Sequence, residues 1–207
     1  MPTLLYIHAS PRNDESYSIR AARAFLEEFS RIHPQWRVDR IDLASDNIPP
    51  FNAPAAKAKY TVLNGQTPAD AAGWAWKDVC NLIDRFKLAD AYLIASPMWN
   101  FGVPYRLKQY IDNLVQPALT FSYSPQTGYK GLVTGKPAVL MLARGGAYGT
   151  DISSDFQRPY LELILRFIGF TDIRTVVIEP TLAGAEPAEK ALQQAVVQAR
   201  ELARNVI

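Results

Sequence analysis

Residues 91–105 read A-Y-L-I-A-S-P-M-W-N-F-G-V-P-Y. Positions 91–95 are a short, continuous apolar run, the pattern of a strand covered on both faces. From Tyr105 the apolar spacing becomes helical, and Pro104 sits at the first turn, where its missing N–H is not needed. Between strand and helix, Trp99 and Phe101 flank Asn100 at the end of the strand, where loops are usually small and polar. Two questions follow: whether the strand–loop–helix step repeats, and what the aromatics are for.

The step repeats in both directions. Short apolar runs occur at 4–8, 38–43 (weaker, alternating), 138–143 and 173–178. Helical spacing occurs at 18–32, 69–88, 105–115, 156–168 and 187–205, with Pro34 ending the first helix and Gly169 the fourth. A short helix is expected around 55–60, inside an irregular stretch at 45–67 that contains Pro49, Pro50 and Pro54. Residues 117–136 read as a long loop. Strands alternating with helices predict an α/β fold: a doubly wound three-layer sandwich around a five-stranded parallel sheet in the order 2-1-3-4-5, formed by residues 1–207 as a single domain. In such sheets ligands bind beyond the carboxyl ends of the strands, at a topological switch point. The informative loops are therefore those after strands one, three and four.

After strand one comes S-P-R-N-D-E-S-Y-S, residues 10–18. It matches neither a dinucleotide fingerprint nor a Walker loop. Ser10, Ser16 and Ser18, with the free N–H groups of a helix start, suit a phosphate monoester. The plainer alternative is that Ser16 caps the helix. Asp14 and Glu15 oppose an anion unless both point to solvent, and Arg12 offsets them in part. After strand three, the backbone of residues 98–101 and the Asn100 amide could read the edge of a planar heteroaromatic ring walled by Trp99 and Phe101. Alternatively, the aromatics cover the sheet end. After strand four comes A-R-G-G-A-Y-G, residues 143–149, where Gly145 and Gly146 allow close backbone approach or form an ordinary turn.

Taken with T-F-S-Y at 120–123, G-L-V-T-G-K at 131–136 and R-F-I-G-F-T-D at 166–172, these loops make the chain resemble the FMN-dependent NAD(P)H azoreductases, within the flavodoxin-like NAD(P)H:quinone oxidoreductases. The resemblance covers nearly the whole chain. It implies that Ser10, Ser16, Tyr17 and Ser18 hold the FMN phosphate. It further implies that Pro97, Met98, Trp99, Asn100 and Phe101 flank the isoalloxazine, and that Arg144, Gly145 and Gly146 contact its pyrimidine side. Tyr123, Tyr148 and Phe167 would line the substrate pocket. The implied reaction passes a hydride from NADH or NADPH through FMN to a quinone, or in two turns to an azo bond that yields two amines. The implied assembly is a homodimer with sites at the subunit interface. Trp99 stands where many members carry Tyr, and Tyr148 where some carry His, which bears on substrate preference. The alternative activity is that of a flavodoxin-type electron carrier.

Composition narrows the classes. A net charge of +2 over 207 residues argues against a nucleic-acid or anionic-membrane partner. No apolar run reaches the roughly 18 residues of a membrane span, and the N-terminus runs straight into a strand without a charged leader, so a cytoplasmic protein is expected. The single cysteine, Cys80, allows no internal disulfide and reads as a buried thiol. No metal site is expected, because no His, Cys or carboxylate cluster has ligand spacing. His8, ending strand one, reads either as a proton donor or as a structural strand-end residue. His33 is expected in solvent. The aromatics of the 117–136 loop suggest a lid or a contact across a dimer.

Overall fold

Strands bury according to their place in the sheet. In the computed structural model, which describes residues 1–148 and 153–207, β1 (Thr3–His8) and β6 (Ala138–Ala143) are buried throughout, as is β3 (Ala91–Pro97) up to its last residue. β2 (Arg37–Asp42) and β7 (Ile173–Ile178) are only partly buried. The order β2-β1-β3-β6-β7 explains the difference, because β2 and β7 are the edges. Every pairing in this sheet is parallel. Counting only its own strands, the order is the expected 2-1-3-4-5. The edge strand β2 carries Arg37, Asp39, Arg40 and Asp42, charges that discourage pairing with another chain.

Side-chain alternation divides the core in two. Leu4, Tyr6, Leu93, Val139 and Met141 pack against Phe25 and Phe29 of α1 (Tyr17–Ile32) and Leu192 of α6 (Ala185–Asn205). Leu5, Ile7, Ile94, Leu140 and Leu142 pack with Ile83 and Phe86 of α3 (Asp70–Leu88), Ile111 of α4 (Tyr105–Leu114) and Leu165 of α5 (Arg158–Ile168). Each such buried side chain is worth about 1.5–3 kcal/mol of transfer free energy, so these two stripes hold the strand ends in place.

Two stretches depart from the expectation. The short helix around 55–60 is longer: α2 spans Ala53–Leu63, and the Asn52 carboxamide accepts from the Ala55 N–H at 3.4 Å. The irregular stretch before it is fastened by α4, whose Arg106, Gln109 and Asn113 donate to carbonyls of Leu43, Asp46, Ile48 and Pro49. The 117–136 loop is partly a hairpin, with β4 (Phe121–Ser124) antiparallel to β5 (Gly128–Gly131). Phe121 and Tyr123 alternate along its first strand, and the left-handed Gly128 (φ 68) closes its three-residue turn. The base of the hairpin rests backbone-on-backbone. A Cβ on Gly131 would lie 2.3 Å from the amide nitrogen of Gly169, and one on Gly169 would lie 2.8 Å from the Val133 carbonyl.

Candidate functional site

β1 ends at the phosphate-type loop. Ser10, Ser16 and Ser18 are all buried. Ser16 occupies the N-cap of α1 but makes no capping hydrogen bond; its Oγ lies 3.1 Å from Ser18 Oγ instead. The capping alternative therefore fails, and the first N–H groups of α1 find no acceptor among the described residues. The carboxylates that argued against an anion point away: Asp14 and Glu15 side chains are 77% and 80% exposed, paired with Arg23 and Arg12. Buried hydroxyls and open N–H groups at a helix start are the donor set a phosphate needs.

β3 ends in a two-residue turn. Trp99 and Gly102 exchange backbone bonds of 3.0 and 2.9 Å, and Asn100 and Phe101 between them take φ of 48° and 67°. These are type I′ values, easy for Asn but strained for Phe, at about 1–3 kcal/mol. The Phe156 N–H donates to the Phe101 carbonyl at 2.9 Å and helps hold the strain. The Met98 N–H donates to the Ala143 carbonyl at 2.7 Å, tying this loop to the end of β6. The N–H groups of Asn100 and Phe101 and the Asn100 carboxamide have no partner among the described residues. Trp99 and Phe101 are 39% and 54% exposed, so they do not seal the sheet end. Trp99 and Tyr105 line both a cavity of about 100 Å³, bordered by Ala9 and Pro11, and an open groove of about 580 Å³ that runs along Phe51. A cavity of similar size near Asp46, Asp78 and Tyr110 touches none of the three loops.

After β6 the backbone and side chains serve different purposes. The Gly145 carbonyl accepts from Thr181 and Leu182, whereas the N–H groups of Gly145 and Gly146 have no acceptor among the described residues. Among the described residues a Cβ on Gly146 would meet nothing closer than 3.9 Å, so none of them requires glycine there. A ligand lying close against the backbone supplies a reason. Arg144 is different: its guanidinium is buried, at 2.6 Å from Asp155, 3.4 Å from Glu179 and 3.3 Å from Gln157 Oε1. Its face is covered by the Tyr148 ring at 5.6 Å. Gly149, the last residue quoted from this loop, lies outside the described residues.

The remaining candidates sit elsewhere. Phe167 packs on Phe121 and Tyr129, with Tyr123 against Tyr129, an aromatic cluster of hairpin and α5 whose ring contacts include neither Trp99 nor Phe101. His8 is buried beside Tyr6, with Nδ1 3.4 Å from Asp42. Burial holds its imidazole below the ordinary pKa against the upward pull of Asp42, an arrangement that fits a structural strand-end residue. His33 is not simply solvated; it caps α1 with its ring 4.8 Å from Phe29. Cys80 is half-buried rather than buried, and desolvation, aided by Asp84, raises its thiol pKa. Among the described residues no cluster of three metal-ligating side chains exists, and no helix is long and apolar enough to cross a membrane. Sequence reasoning missed Asp155, Gln157 and Glu179, whose polar side chains carried no motif.

The three loops together match FMN by donor set: buried hydroxyls at an open helix start, and unpaired amides at the next two strand ends. Known proteins point the same way. A family profile described as flavodoxin-like fold matches residues 2–203. An FMN-dependent NADH:quinone oxidoreductase of Nitratidesulfovibrio vulgaris is 49% identical, over 98% of this chain and 99% of its own. One of Desulfotalea psychrophila is 44% identical, over 100% and 98%. The crystal structure of an azoreductase from Bacillus anthracis superposes with a TM-score of 0.90 at 28% identity, covering 98% of this chain and 99% of the other. An FMN-dependent NADH-azoreductase of that species, solved in complex with FMN, gives 0.85 at 28% identity over 98% and 100%. The chain belongs to the flavodoxin-like family of FMN-dependent NADH:quinone oxidoreductases and azoreductases.

Proposed function

We propose that the chain is an FMN-dependent NAD(P)H:quinone oxidoreductase that also reduces azo compounds. The observation that carries this reading is the buried Ser10–Ser16–Ser18 set at an uncapped helix start, one strand away from the exposed turn at residues 99–102. Ser10, Ser16, Tyr17 and Ser18 hold the FMN phosphate. Pro97, Met98, Trp99, Asn100 and Phe101 flank the ring, and the N–H groups of Gly145 and Gly146 approach its pyrimidine edge. Bound FMN supplies two-electron hydride transfer between a nicotinamide and an acceptor. The chain's part is to fix the ring and place donors where negative charge gathers. His8 is turned towards Tyr6 and Asp42, so protons for the product come from water or from a pocket tyrosine.

The same reading takes residues 1–207 as one doubly wound domain of a cytoplasmic protein. It takes the assembly as a homodimer, because the ring contacts of the Tyr123, Tyr129 and Phe167 cluster include neither Trp99 nor Phe101, and the cluster suits the pocket of a second copy. The names of the relatives favour NADH as donor. Anaerobic addition of NADH, then NADPH, to protein reconstituted with FMN tests the proposal. Rapid bleaching of the flavin, reversed by a quinone, is expected. Bound FMN that neither nucleotide bleaches would indicate an electron carrier, and protein that takes up no FMN would overturn the reading.

A further inference from the structure

Asp155, Phe156 and Gln157 are absent from every motif of the family resemblance, yet they touch both ring-facing loops. The Asp155 carboxylate takes the buried Arg144 guanidinium on Oδ2 at 2.6 Å. Its Oδ1 accepts the N–H groups of Gln157 and Arg158 at 3.0 and 3.1 Å, which fixes it to the start of α5. The Phe156 N–H holds the carbonyl of the strained Phe101. The fully buried Gln157 carboxamide spans the gap: Nε2 donates to the Ser96 carbonyl at 3.1 Å, and Oε1 accepts from Arg144 Nε at 3.3 Å. Glu179 closes the far side, accepting from the Arg144 guanidinium and the Tyr148 backbone N–H at 3.4 and 3.3 Å.

We propose that residues 155–157 form a brace that sets the position of the loop after β3 relative to the loop after β6, and that Arg144 acts on the flavin site through this brace rather than by touching the ring. The argument rests on satisfaction. With 4% exposure, anionic partners on two sides, Gln157 on a third and the Tyr148 ring over its face, the guanidinium has no open side to offer a ligand. A buried network of this kind is rigid because each member lost leaves another unpaired. The strained Phe101 needs such an outside hold, since its own conformation is unfavourable. Arg144, Asp155 and Gln157 are thus positioning residues, and the amides of 100–101 and 145–146 are what they position.

The flavin-binding part rests on the function proposed above, so the test has one arm without flavin. In hydrogen exchange on the apoprotein, Gln157→Leu is expected to speed exchange at least tenfold in both residues 98–102 and residues 144–148. Asp155→Asn, which keeps the helix-capping oxygen, is expected to do the same if Gln157→Leu fails to fold. Faster exchange in one loop only, or in neither, overturns the brace. In the second arm FMN is titrated by fluorescence quenching. Each variant is expected to bind at least tenfold more weakly, with a shifted visible band, and the double variant no more weakly than the worse single one. Variants that loosen both loops but bind FMN as wild type does overturn the positioning role. So does loss of binding in Arg144→Gln alone with both brace variants intact, which would put the guanidinium on the ring. Wild-type protein that binds no FMN overturns the flavin reading, while the exchange arm still decides the brace.

Discussion

At the end of β3 the chain makes its turn from its own backbone: residues 99–102 close on themselves with two hydrogen bonds, at the expense of a left-handed Phe101. At the end of β6 the chain makes no such closure. Its carbonyls at 144 and 145 accept from the Thr181 and Leu182 N–H groups, and side chains from elsewhere, Asp155, Gln157 and Glu179, hold Arg144 and the Tyr148 amide. The first loop depends mainly on its own backbone, with Phe156 holding it from outside, whereas the second depends on side chains between 11 and 35 places away. Loops that serve one site can thus draw their order from different parts of the chain, and only the first kind leaves its cause in a local motif.

The largest effect expected from this contrast is at a distance. Asp155→Ala leaves the Arg144 charge buried without its closest partner and should cost about 3–5 kcal/mol in urea unfolding. A loss under about 1 kcal/mol would mean that the β6 loop stands by itself after all. Next comes the turn. Phe101→Val puts a β-branched side chain at φ 67° and should lower stability by about 1–3 kcal/mol. Phe101→Gly should relax the backbone and raise the melting temperature while weakening FMN; if it destabilises instead, the strain is not there.

A smaller change separates fold from ligand. Among the described residues, a Cβ on Gly146 meets nothing closer than Tyr148 at 3.9 Å, so in Gly146→Ala stability should stay within about 0.5 kcal/mol while FMN binds at least tenfold more weakly. Equal damage to both would show that the fold itself needs the glycine. The smallest effect concerns the loop after β1. Because burial lowers the pKa of His8 in the folded state, the unfolded chain takes up the proton first as pH falls. Stability is therefore full above the unfolded value of 6.5 and declines below it. The melting temperature should fall between pH 7.5 and 5.5, and His8→Gln should flatten that slope; parallel slopes would remove His8 as the cause.

The fold was readable wherever burial wrote a periodic pattern. The runs at 138–143 and 173–178 coincide with β6 and β7, and continuous apolar stretches marked a parallel sheet covered on both faces. The hairpin at 121–131 was hidden because its strands are four residues each and partly exposed, so no apolar run marked them. At the site, the serines and the W-N-F turn could be found by residue type. The fate of Arg144 could not, since Asp155 and Glu179 lie 11 and 35 positions away and only tertiary structure brings them to it.

The backbone seat of Gly131 on Gly169 divides the hairpin into a part that can be rewritten and a part that cannot. At the seat, any side chain would collide with main chain that cannot turn aside. At the tip, residues 125–127 are exposed, and lengthening a flexible loop costs only about 0.6 kcal/mol per doubling. A library that varies the tip and spares the two glycines would alter what the tyrosines beside it can reach while leaving their footing unchanged. Under the proposed pocket role of Tyr123, variation at the tip is expected to change acceptor range while folding stays constant.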